Sequence, residues 1–369
     1  MRSRCNTAVE ARQGRAHLGV TVAAVKGELV GYISRHGPIP FEEFMRTALY
    51  GERGFFSSAE LRSVKAGDFL TSPEVSSLFG QTIATFVEFE RERVGEPFGV
   101  VEVAGGSGSL TRPLLERGIA VEAVEVSPAA RAALGELLGQ DLVHETLDAT
   151  TARARGVIIA NELLDNLPMA IAQLTDDGWR ERWVGLDADG LCFVDAEVRP
   201  EVAAWLDRFA GPVDRGGWVE VQLEACAWVA STLHDLEAGS LLLFDYGDTM
   251  ESLAPRRRDG TLRTYRSHHL GPHPLDEPGA TDITADVNFT AVEVAAAEAG
   301  AEVDVLRQDD FLAAWGLRDR ISEMRHQELD LARSGDEMGR LRVRTLRQAA
   351  ETLMHPRGLG DFRALVARK

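Results

Sequence analysis

Residues 100–110 read VVEVAGGSGSL, and residues 121–127 read VEAVEVS. The first stretch is an apolar strand that ends with Glu102 and Val103 and runs into a glycine-rich loop, and the second is a strand that ends at Glu125. Parallel sheets bind adenosine ligands at the carboxyl ends of such strands, where the second acid accepts hydrogen bonds from the ribose hydroxyls. The two stretches therefore predict an α/β fold with a nucleotide-type cofactor.

Two classes of cofactor compete for this loop. A dinucleotide fingerprint needs a third glycine, but when Gly106 and Gly108 fill its first two positions, Thr111 occupies the third. A loop for S-adenosylmethionine binds no pyrophosphate and only needs backbone that passes close to the methionine part, where a Cβ would obstruct it. The sequence favours S-adenosylmethionine, and an ordinary glycine turn beside a solvated acid is the alternative.

The composition restricts the partners of the chain. Its 369 residues have a formal net charge of -18, which argues against general nucleic-acid binding because that binding needs a basic surface. The acidity either attracts a basic substrate or only keeps a cytoplasmic protein soluble. Three scattered cysteines form neither a disulfide framework nor a zinc site. We expect a cytoplasmic protein without nucleic-acid or membrane partners, and we allow for a homodimer.

The chain divides into two predicted regions. Residues 1–94 form a helical N-terminal cap with a cofactor-covering loop, and residues 95–369 form an α/β domain with insertions at about 169–222 and 248–287. The arginine-rich start, MRSRCNTAVEARQGR, weakly resembles a transit peptide, and a poorly ordered or misassigned start is the alternative.

Periodicity predicts the elements within these regions. In GDFLTSPEVSSLFGQTIATFVEFE we expect one amphipathic helix after Pro73, with Ser72 as its N-cap. The first insertion contains a hairpin, a short helix and a further strand, whereas the last fifty residues are expected to be helical and charged, up to GLGDFRALVARK. The candidate strands of the sheet are 99–103, 121–126, 142–145, 156–160 and 241–246.

The stretch IIANELLDNLP at 158–168 places Asn161, Glu162 and Asp165 where an apolar strand reaches the ligand edge of the sheet. Methyl transfer requires a well-positioned nucleophile, and a guanidinium acceptor would need carboxylates to bind it and accept its proton. Glu162 and Asp165 are the predicted catalytic pair. Alternatively, Asn161 and Glu162 cap a helix and Asp165 forms a turn.

Two further groups were considered as ligand contacts. Asp148, next to Leu147 in HETLDAT, is a candidate for the exocyclic amine of adenine, with a turn-forming role as the alternative. His268, His269 and His273 form a dense cluster, but the carboxylate or thiolate spacing of a metal site is missing. We expect these histidines to line or brace a loop, and we expect no metal.

Eight blocks in order resemble the MidA-like family, which includes the mitochondrial complex I assembly factor that acts as a protein arginine methyltransferase. The blocks are PIPFEEFMRTALYGERGFF, GDFLTSPEVSSLFG, VVEVAGGSGSL, ANELLDNLP, LLLFDYG, DGTLRTYRSHH, PGATDITADVNFT and QDDFL.

The resemblance implies a class I S-adenosylmethionine-dependent methyltransferase with a helical N-terminal region and a seven-stranded Rossmann-like sheet carrying α+β insertions. It also implies that the TSPE loop at 71–74 lies near the cofactor and that NELLDNLP faces the substrate. The richness in Arg, Ala and Gly suggests a bacterial chain. The predicted cofactor-binding residues are Thr71, Pro73, Glu74, Glu102, Ala104, Gly105, Gly106, Gly108, Glu125, Val126, Leu147, Asp148 and Asn161.

The chain departs from the family at several positions. The family loop commonly reads Glu-Leu-Gly-Pro-Gly-Arg-Gly, whereas here Ala104 and Gly105 replace Gly and Pro, and Ser107 replaces Arg. Phe55 and Phe56 stand at the usual tyrosine pair. Leu163 to Asn166 read Leu-Leu-Asp-Asn instead of Phe-Phe-Asp-Ala. The changes beside the substrate edge affect the prediction of the methyl acceptor more than the prediction of the cofactor.

Three functions remain open on the sequence. The first is a methyltransferase for a protein or peptide nitrogen, with arginine as the best single guess. The second is a methyltransferase for a small molecule or a peptide natural product, with the 248–287 loop closing over it. The third is an assembly or scaffold protein that binds the cofactor without turnover.

Overall fold

The computed structural model describes residues 22–57, 71–256, 258–266 and 269–369. The arginine-rich start and His268, on which predictions were made above, lie outside these ranges. The described chain forms two compact units: a hairpin unit of residues 22–57, 166–224 and 254–285, and a sheet unit of residues 71–165, 225–253 and 286–369. The N-terminal helices therefore group with the two predicted insertions, and a domain boundary at residue 94 stays a prediction.

Helices and strands alternate through most of the sheet unit. The α-helices of the described ranges are α1 (22–36), α2 (Phe41–Tyr50), α3 (Ser72–Val75), α4 (Ser77–Val94), α5 (Thr111–Glu116), α6 (Pro128–Leu138), α7 (Pro200–Phe209), α8 (Leu223–Asp235), α9 (Met250–Leu253), α10 (Phe289–Glu298), α11 (Gln308–Ala314), α12 (Leu317–Ser334) and α13 (Glu337–Leu353). The strands are β1 (Gly99–Val103), β2 (Glu122–Val124), β3 (Val143–His144), β4 (Arg155–Asn161), β5 (Ala170–Thr175), β6 (Gly178–Leu186), β7 (Leu191–Ala196), β8 (Trp218–Val221), β9 (Ala238–Asp245), β10 (Gly247–Asp248), β11 (Arg263–Arg266), β12 (His269–Leu270), β13 (Asp282–Thr284), β14 (Val287–Asn288), β15 (Glu302–Arg307) and β16 (Arg363–Arg368).

The sheet unit is built on seven strands in the order β15-β16-β9-β4-β1-β2-β3. β1, β2, β3, β4 and β9 run parallel, whereas β16 runs antiparallel to both of its neighbours. Its central strands are almost continuously apolar because helices cover both faces of a parallel sheet. The predicted seven-stranded α/β sheet is confirmed, and its parallel strands end at one common edge.

The C-terminal segment differs from the prediction. It was expected to be helical and charged to its end, but Arg363–Arg368 forms β16 between β9 and β15. The four residues 364–367 are buried, while the flanking side chains form ion pairs, from Arg368 Nε to Glu90 Oε1 (2.9 Å) and from Arg363 Nη2 to Asp248 Oδ1 (2.6 Å). Four apolar residues between arginines are too few for periodicity to separate a strand from a helix.

The segment before the sheet also differs from the prediction. One helix after Pro73 was expected, but the chain leaves the helical conformation at Ser76 (φ -156°, ψ 133°) and forms the short helix α3 and then α4. The Ser76 side chain accepts a hydrogen bond from the Leu78 amide (3.3 Å), so Ser76 and not Ser72 caps the long helix. This break sets α3 apart as a separate four-residue element.

Aromatic side chains fix α4 and α11 to the sheet. Phe244 of β9 lies 5.1 Å from the ring of Phe79 and 5.2 Å from the ring of Phe311. Phe86 lies two turns after Phe79 in α4, and its ring centroid is 5.7 Å from that of Phe311. All four rings are fully buried, so this cluster anchors the segments that flank the ligand edge.

The hairpin unit contains a four-stranded antiparallel sheet in the order β7-β6-β5-β8 and a three-stranded sheet in the order β12-β11-β13. The predicted hairpin, helix and further strand of the first insertion are confirmed as β6, β7, α7 and β8. The ring of His273 contacts Phe193 edge-on at 5.6 Å, which agrees with a bracing role, whereas His269 is exposed. Across the described ranges no helix is both long enough and apolar enough to cross a membrane.

Candidate functional site

The glycine loop follows β1 and turns sharply at the ligand edge. Ala104, Gly106 and Gly108 have φ values of 58°, 54° and 77°, a region that L residues with a Cβ rarely adopt. The Ala104 amide donates to the Val124 carbonyl (2.8 Å), which ties the loop to the end of β2. A Cβ on Gly108 would lie 2.8 Å from Leu137 Cδ2, so glycine lets α6 pack against the loop.

Glu125 links the loop to the second strand. Its carboxylate accepts hydrogen bonds from the amides of Gly106 (3.0 Å) and Ser127 (2.8 Å). Burial raises the pKa of Glu125, and these amide bonds oppose the shift. The neighbouring Val126 is 52% exposed and offers apolar surface beside the acid. The structure thus brings together the predicted glycine loop, Glu125 as the predicted acceptor for the ribose hydroxyls, and Val126 as a predicted apolar contact.

Glu102 is buried near the end of β1. It is 4% exposed and accepts a hydrogen bond from Thr111 Oγ1 at the start of α5. Burial raises the pKa of Glu102 to about 8, with a smaller contribution from the negative charge of Glu125. Glu102 therefore lies beneath the loop as a largely neutral acid at pH 7, and its contact with the cofactor stays a prediction.

Leu147 and Asp148 lie in a short 3₁₀ turn after β3. The Asp148 side chain is 83% exposed and lies 3.8 Å from the guanidinium of Arg153, which also donates to the Asp148 carbonyl. Within the seven-stranded sheet, β3 follows β2 at the edge. The role of Asp148 toward adenine stays a prediction, because both the turn and the exposed carboxylate are present.

The TSPE stretch contacts both ends of the candidate site through α3. Glu74 Oε1 accepts hydrogen bonds from Ser109 Oγ (2.6 Å) and from Ser107 Oγ, which binds the helix to the glycine loop. Thr71 precedes the helix as its N-cap residue, and Pro73 lies in its first turn.

Ser72 makes the contacts on the other side of α3. Its hydroxyl is 3.1 Å from Gln308 Nε2 of α11, and both residues are fully buried. Its backbone amide faces the Glu162 carboxylate and opposes the rise of that group's pKa. One four-residue helix therefore touches the cofactor loop and the predicted catalytic carboxylate.

Glu162 follows β4 in a strained conformation. Its φ is 53°, and its amide donates to the Phe244 carbonyl of β9 (2.8 Å). Asn161 Nδ2 donates to Glu162 Oε1 (3.1 Å), while no polar atom of the described residues bonds Asn161 Oδ1. Burial and then the charge of Asp165 raise the pKa of Glu162 to about 8. A strained, proton-binding acid at the ligand edge is typical of a functional residue.

The predicted pair extends to a third carboxylate that the sequence prediction missed. Asp245, the last residue of β9, is 1% exposed and accepts from the amides of Leu164 (2.9 Å) and Tyr246 (2.9 Å). Burial and the charges of Asp165 and Glu162 raise its pKa well above the usual range. The Tyr246 hydroxyl donates to Asp165 Oδ2. The signal was present in LLLFDYG, where an acid ends an apolar strand as Glu102 and Glu125 do.

These residues fit S-adenosylmethionine. The acid after β2 and the exposed Val126 suit a ribose and an adenine ring, and the positive-φ glycines Gly106 and Gly108 would let backbone come close to the cofactor. The three carboxylates at the ends of β4 and β9 suit a cationic acceptor. Within the described residues no group of three or more His, Cys, Asp or Glu side chains could hold a metal ion.

Comparison with known proteins confirms the predicted class of enzyme, an S-adenosylmethionine-dependent methyltransferase. The sequence profile of a family described as S-adenosyl-L-methionine-dependent methyltransferases matches residues 79–307. The mitochondrial protein arginine methyltransferase NDUFAF7 of Xenopus tropicalis is 28% identical over 351 residues, covering 84% of this chain and 79% of its own length. The Homo sapiens protein is 26% identical over 89% of this chain and 80% of its own.

A solved structure extends the similarity to the whole fold. The crystal structure of a methyl transferase superfamily member from Burkholderia thailandensis, bound to S-adenosyl-homocysteine, is similar with a TM-score of 0.83. It is 29% identical, and the alignment covers 96% of this chain and 94% of that one. S-adenosyl-homocysteine is the product that S-adenosylmethionine leaves after methyl transfer, so the relative binds the predicted cofactor type.

Proposed function

The chain belongs to the S-adenosyl-L-methionine-dependent methyltransferase family whose profile spans residues 79–307, and from this premise we propose that it methylates a guanidinium nitrogen of arginine in a protein. The carboxylate cluster of Glu162, Asp165 and Asp245 is the observation that supports this acceptor. The NDUFAF7 relatives, which are named protein arginine methyltransferases, support the same proposal.

The proposed roles follow from the charges and positions of the side chains. When bound, S-adenosylmethionine supplies a methyl group on a positively charged sulfur, which keeps the electron pair of the broken bond. Asp165 binds the guanidinium through paired N–H donors and orients one nitrogen. Glu162 accepts the proton that this nitrogen loses, because its raised pKa makes it a stronger base than an ordinary carboxylate. Glu125 and Val126 hold the adenosine part.

A direct experiment tests the acceptor. The protein is incubated with methyl-labelled S-adenosylmethionine and cell extract, and the proteins are hydrolysed to amino acids. We expect the label in methylarginine. Label in another amino acid would contradict arginine, and label only in small molecules would favour a natural-product methyltransferase. Tight binding of S-adenosyl-homocysteine without any labelled product would favour a scaffold protein.

The pH dependence tests the role of Glu162. A residue with a pKa of about 8 must lose its proton before it accepts one, so kcat/KM should rise with pH until about pH 8. Glu162→Gln should lower kcat at least about 100-fold and should remove this dependence. The matched control is Glu323→Gln on the exposed side of α12, where both the rate and the pH profile should stay unchanged.

The proposed cellular location and origin of the protein rest on the composition of the chain, and its relatives differ in location. A cytoplasmic location and a bacterial origin are supported only by the charge and composition of the chain, while the NDUFAF7 relatives are named mitochondrial proteins. The protein acceptor would be basic, which suits an acidic enzyme with a net charge of -18.

A further inference from the structure

Tyr246 is held against the carboxylate cluster at four points. Its amide donates to Asp245 Oδ1 (2.9 Å), and its carbonyl accepts from the Val287 amide (3.0 Å). Its ring packs edge-on against Phe362, with 5.5 Å between the centroids. Its hydroxyl donates to Asp165 Oδ2. A side chain fixed in this way has little freedom to follow its partner, so it determines where the Asp165 carboxylate lies.

Asp245 binds the backbone of the turn that carries Asp165. Its Oδ2 accepts from the amides of Leu164 (2.9 Å) and Asp165 (3.3 Å). Asp245 thus fixes the backbone of Asp165, while Tyr246 fixes its side chain. Both residues come from the end of β9, next to β4 in the sheet, so the position of Asp165 is set by a neighbouring strand.

We infer that Tyr246 is a positioning residue, which orients the Asp165 carboxylate for a cationic nitrogen acceptor. This inference rests on the proposed function for the acceptor. The turn after β4 contributes Glu162, Asp165 and Asn161, and the end of β9 contributes Asp245 and Tyr246. Among the described residues, the side-chain hydrogen bond to the Glu162 carboxylate comes from the amide of Asn161 (3.1 Å) and not from a hydroxyl group.

The contact itself can be tested without any acceptor. The sequence contains four tyrosines, so labelling the ring carbon that bears the hydroxyl gives a simple NMR spectrum. Tyr246→Phe identifies the signal of Tyr246. We expect Asp165→Ala to shift that signal and to leave the signal of Tyr32, in the hairpin unit, unchanged. An unmoved Tyr246 signal would overturn the inference, whatever the acceptor is.

The effect on the acceptor is tested with ethylguanidinium as the probe. Its binding to the S-adenosyl-homocysteine complex is measured by ligand-observed NMR. We expect Tyr246→Phe to weaken binding about tenfold, the effect of losing one hydrogen bond to a charged group, while S-adenosyl-homocysteine binds as before. The control variant Tyr32→Phe should change neither affinity.

A double-variant cycle shows whether Tyr246 acts through Asp165. If it does, Tyr246→Phe should have no further effect on ethylguanidinium binding in the Asp165→Asn background. Additive losses would overturn the positioning role. If the wild-type protein binds no ethylguanidinium although the NMR contact is present, the arginine proposal fails and the geometry of Tyr246 stands.

Discussion

At the scale of single residues, Ala104 carries the clearest strain. Its φ of 58° belongs to the left-handed region, and the bond from its amide to the Val124 carbonyl (2.8 Å) holds it there. A residue with a Cβ loses about 1 kcal/mol in this conformation compared with glycine. The family loop that this stretch resembles commonly has glycine at this position, and glycine adopts the conformation without a Cβ.

Ala104→Gly should therefore raise the free energy of unfolding by about 0.5 kcal/mol, after the greater freedom of glycine in the unfolded chain is subtracted. Urea unfolding measures the change. Ala123→Gly, at a fully buried position of β2, is the control and should lower the free energy by roughly 1 kcal/mol. A loss of stability in Ala104→Gly as well would contradict the strain.

Glu102 gives a second prediction at this scale. Because burial raises its pKa to about 8, the folded protein keeps a proton that the unfolded chain has already released. The free energy of unfolding should be largest below the ordinary glutamate pKa and should decrease as the pH rises to about 8. Glu102→Gln removes this titration. Over the same pH range, the free energy of unfolding of the variant should therefore decrease by at least about 1 kcal/mol less than that of the wild type.

Urea unfolding at pH 5 and pH 8 measures the slope for Glu102→Gln. In this variant the free energy of unfolding should still depend on pH, because Glu162 has a raised pKa of about 8 as well. Glu88→Gln serves as the control, since Glu88 forms an exposed ion pair with Arg117 (2.7 Å). Equal slopes for Glu102→Gln and the wild type would show that Glu102 is ionised in the folded protein.

At the scale of elements, α3 connects parts of the site that lie far apart in sequence. Its Glu74 bonds the glycine loop through Ser107 and Ser109, and its Ser72 bonds Gln308 of α11. The Ser72 amide also lowers the pKa of Glu162, which follows β4. In this chain two serine hydroxyls bond the Glu74 carboxylate.

Glu74→Gln should weaken the binding of S-adenosyl-homocysteine about tenfold, because it replaces charge-assisted hydrogen bonds that hold the loop. Isothermal titration calorimetry measures the affinity. The melting temperature should change little, since the loop is short and partly exposed. Unchanged binding in Glu74→Gln, with a loss in Ser107→Ala, would assign the contact to the serine alone.

At the scale of the whole molecule, the sheet unit depends on its last strand. β16 lies between β9 and β15, and Leu365 pairs with Leu243 on one side and Val305 on the other. Leu365 is fully buried. Residues 363–368 therefore complete the sheet whose opposite half carries the predicted cofactor-binding residues.

Leu365→Ala should lower the free energy of unfolding of the sheet unit by about 2 to 5 kcal/mol, because it leaves a cavity in the core. Leu329→Ala is the matched control, since Leu329 is 56% exposed on α12 and its loss should change the free energy by no more than about 0.5 kcal/mol. Fluorescence-monitored unfolding measures both. Similar values for the two variants would contradict the buried position of β16.

The sequence predicted the parts of the fold that have strong local signals. The strand at β1, the loop after it and the acid at 125 follow from apolar runs and glycine spacing, and the hairpin β6–β7 follows from alternation. The sequence did not predict β16, because its apolar run ALVA is short. It also did not predict the break at Ser76, where only the backbone angles of one residue separate α3 from α4. Boundaries of this kind depend on tertiary contacts rather than on local preference.

By itself, the sequence determined the sheet, the S-adenosylmethionine-type loop and the acids that end β1, β2 and β4, because each of these depends on residues close together in the chain. Only the tertiary structure placed Asp245 and Tyr246 against Asp165, and Glu74 against Ser107. The pairing of β4 with β9 joins residues about eighty positions apart, and no local pattern encodes which buried acids raise the pKa of one another. VVEVAGGSGSL thus predicts where the cofactor lies, whereas strand packing specifies the charges around the proposed acceptor site.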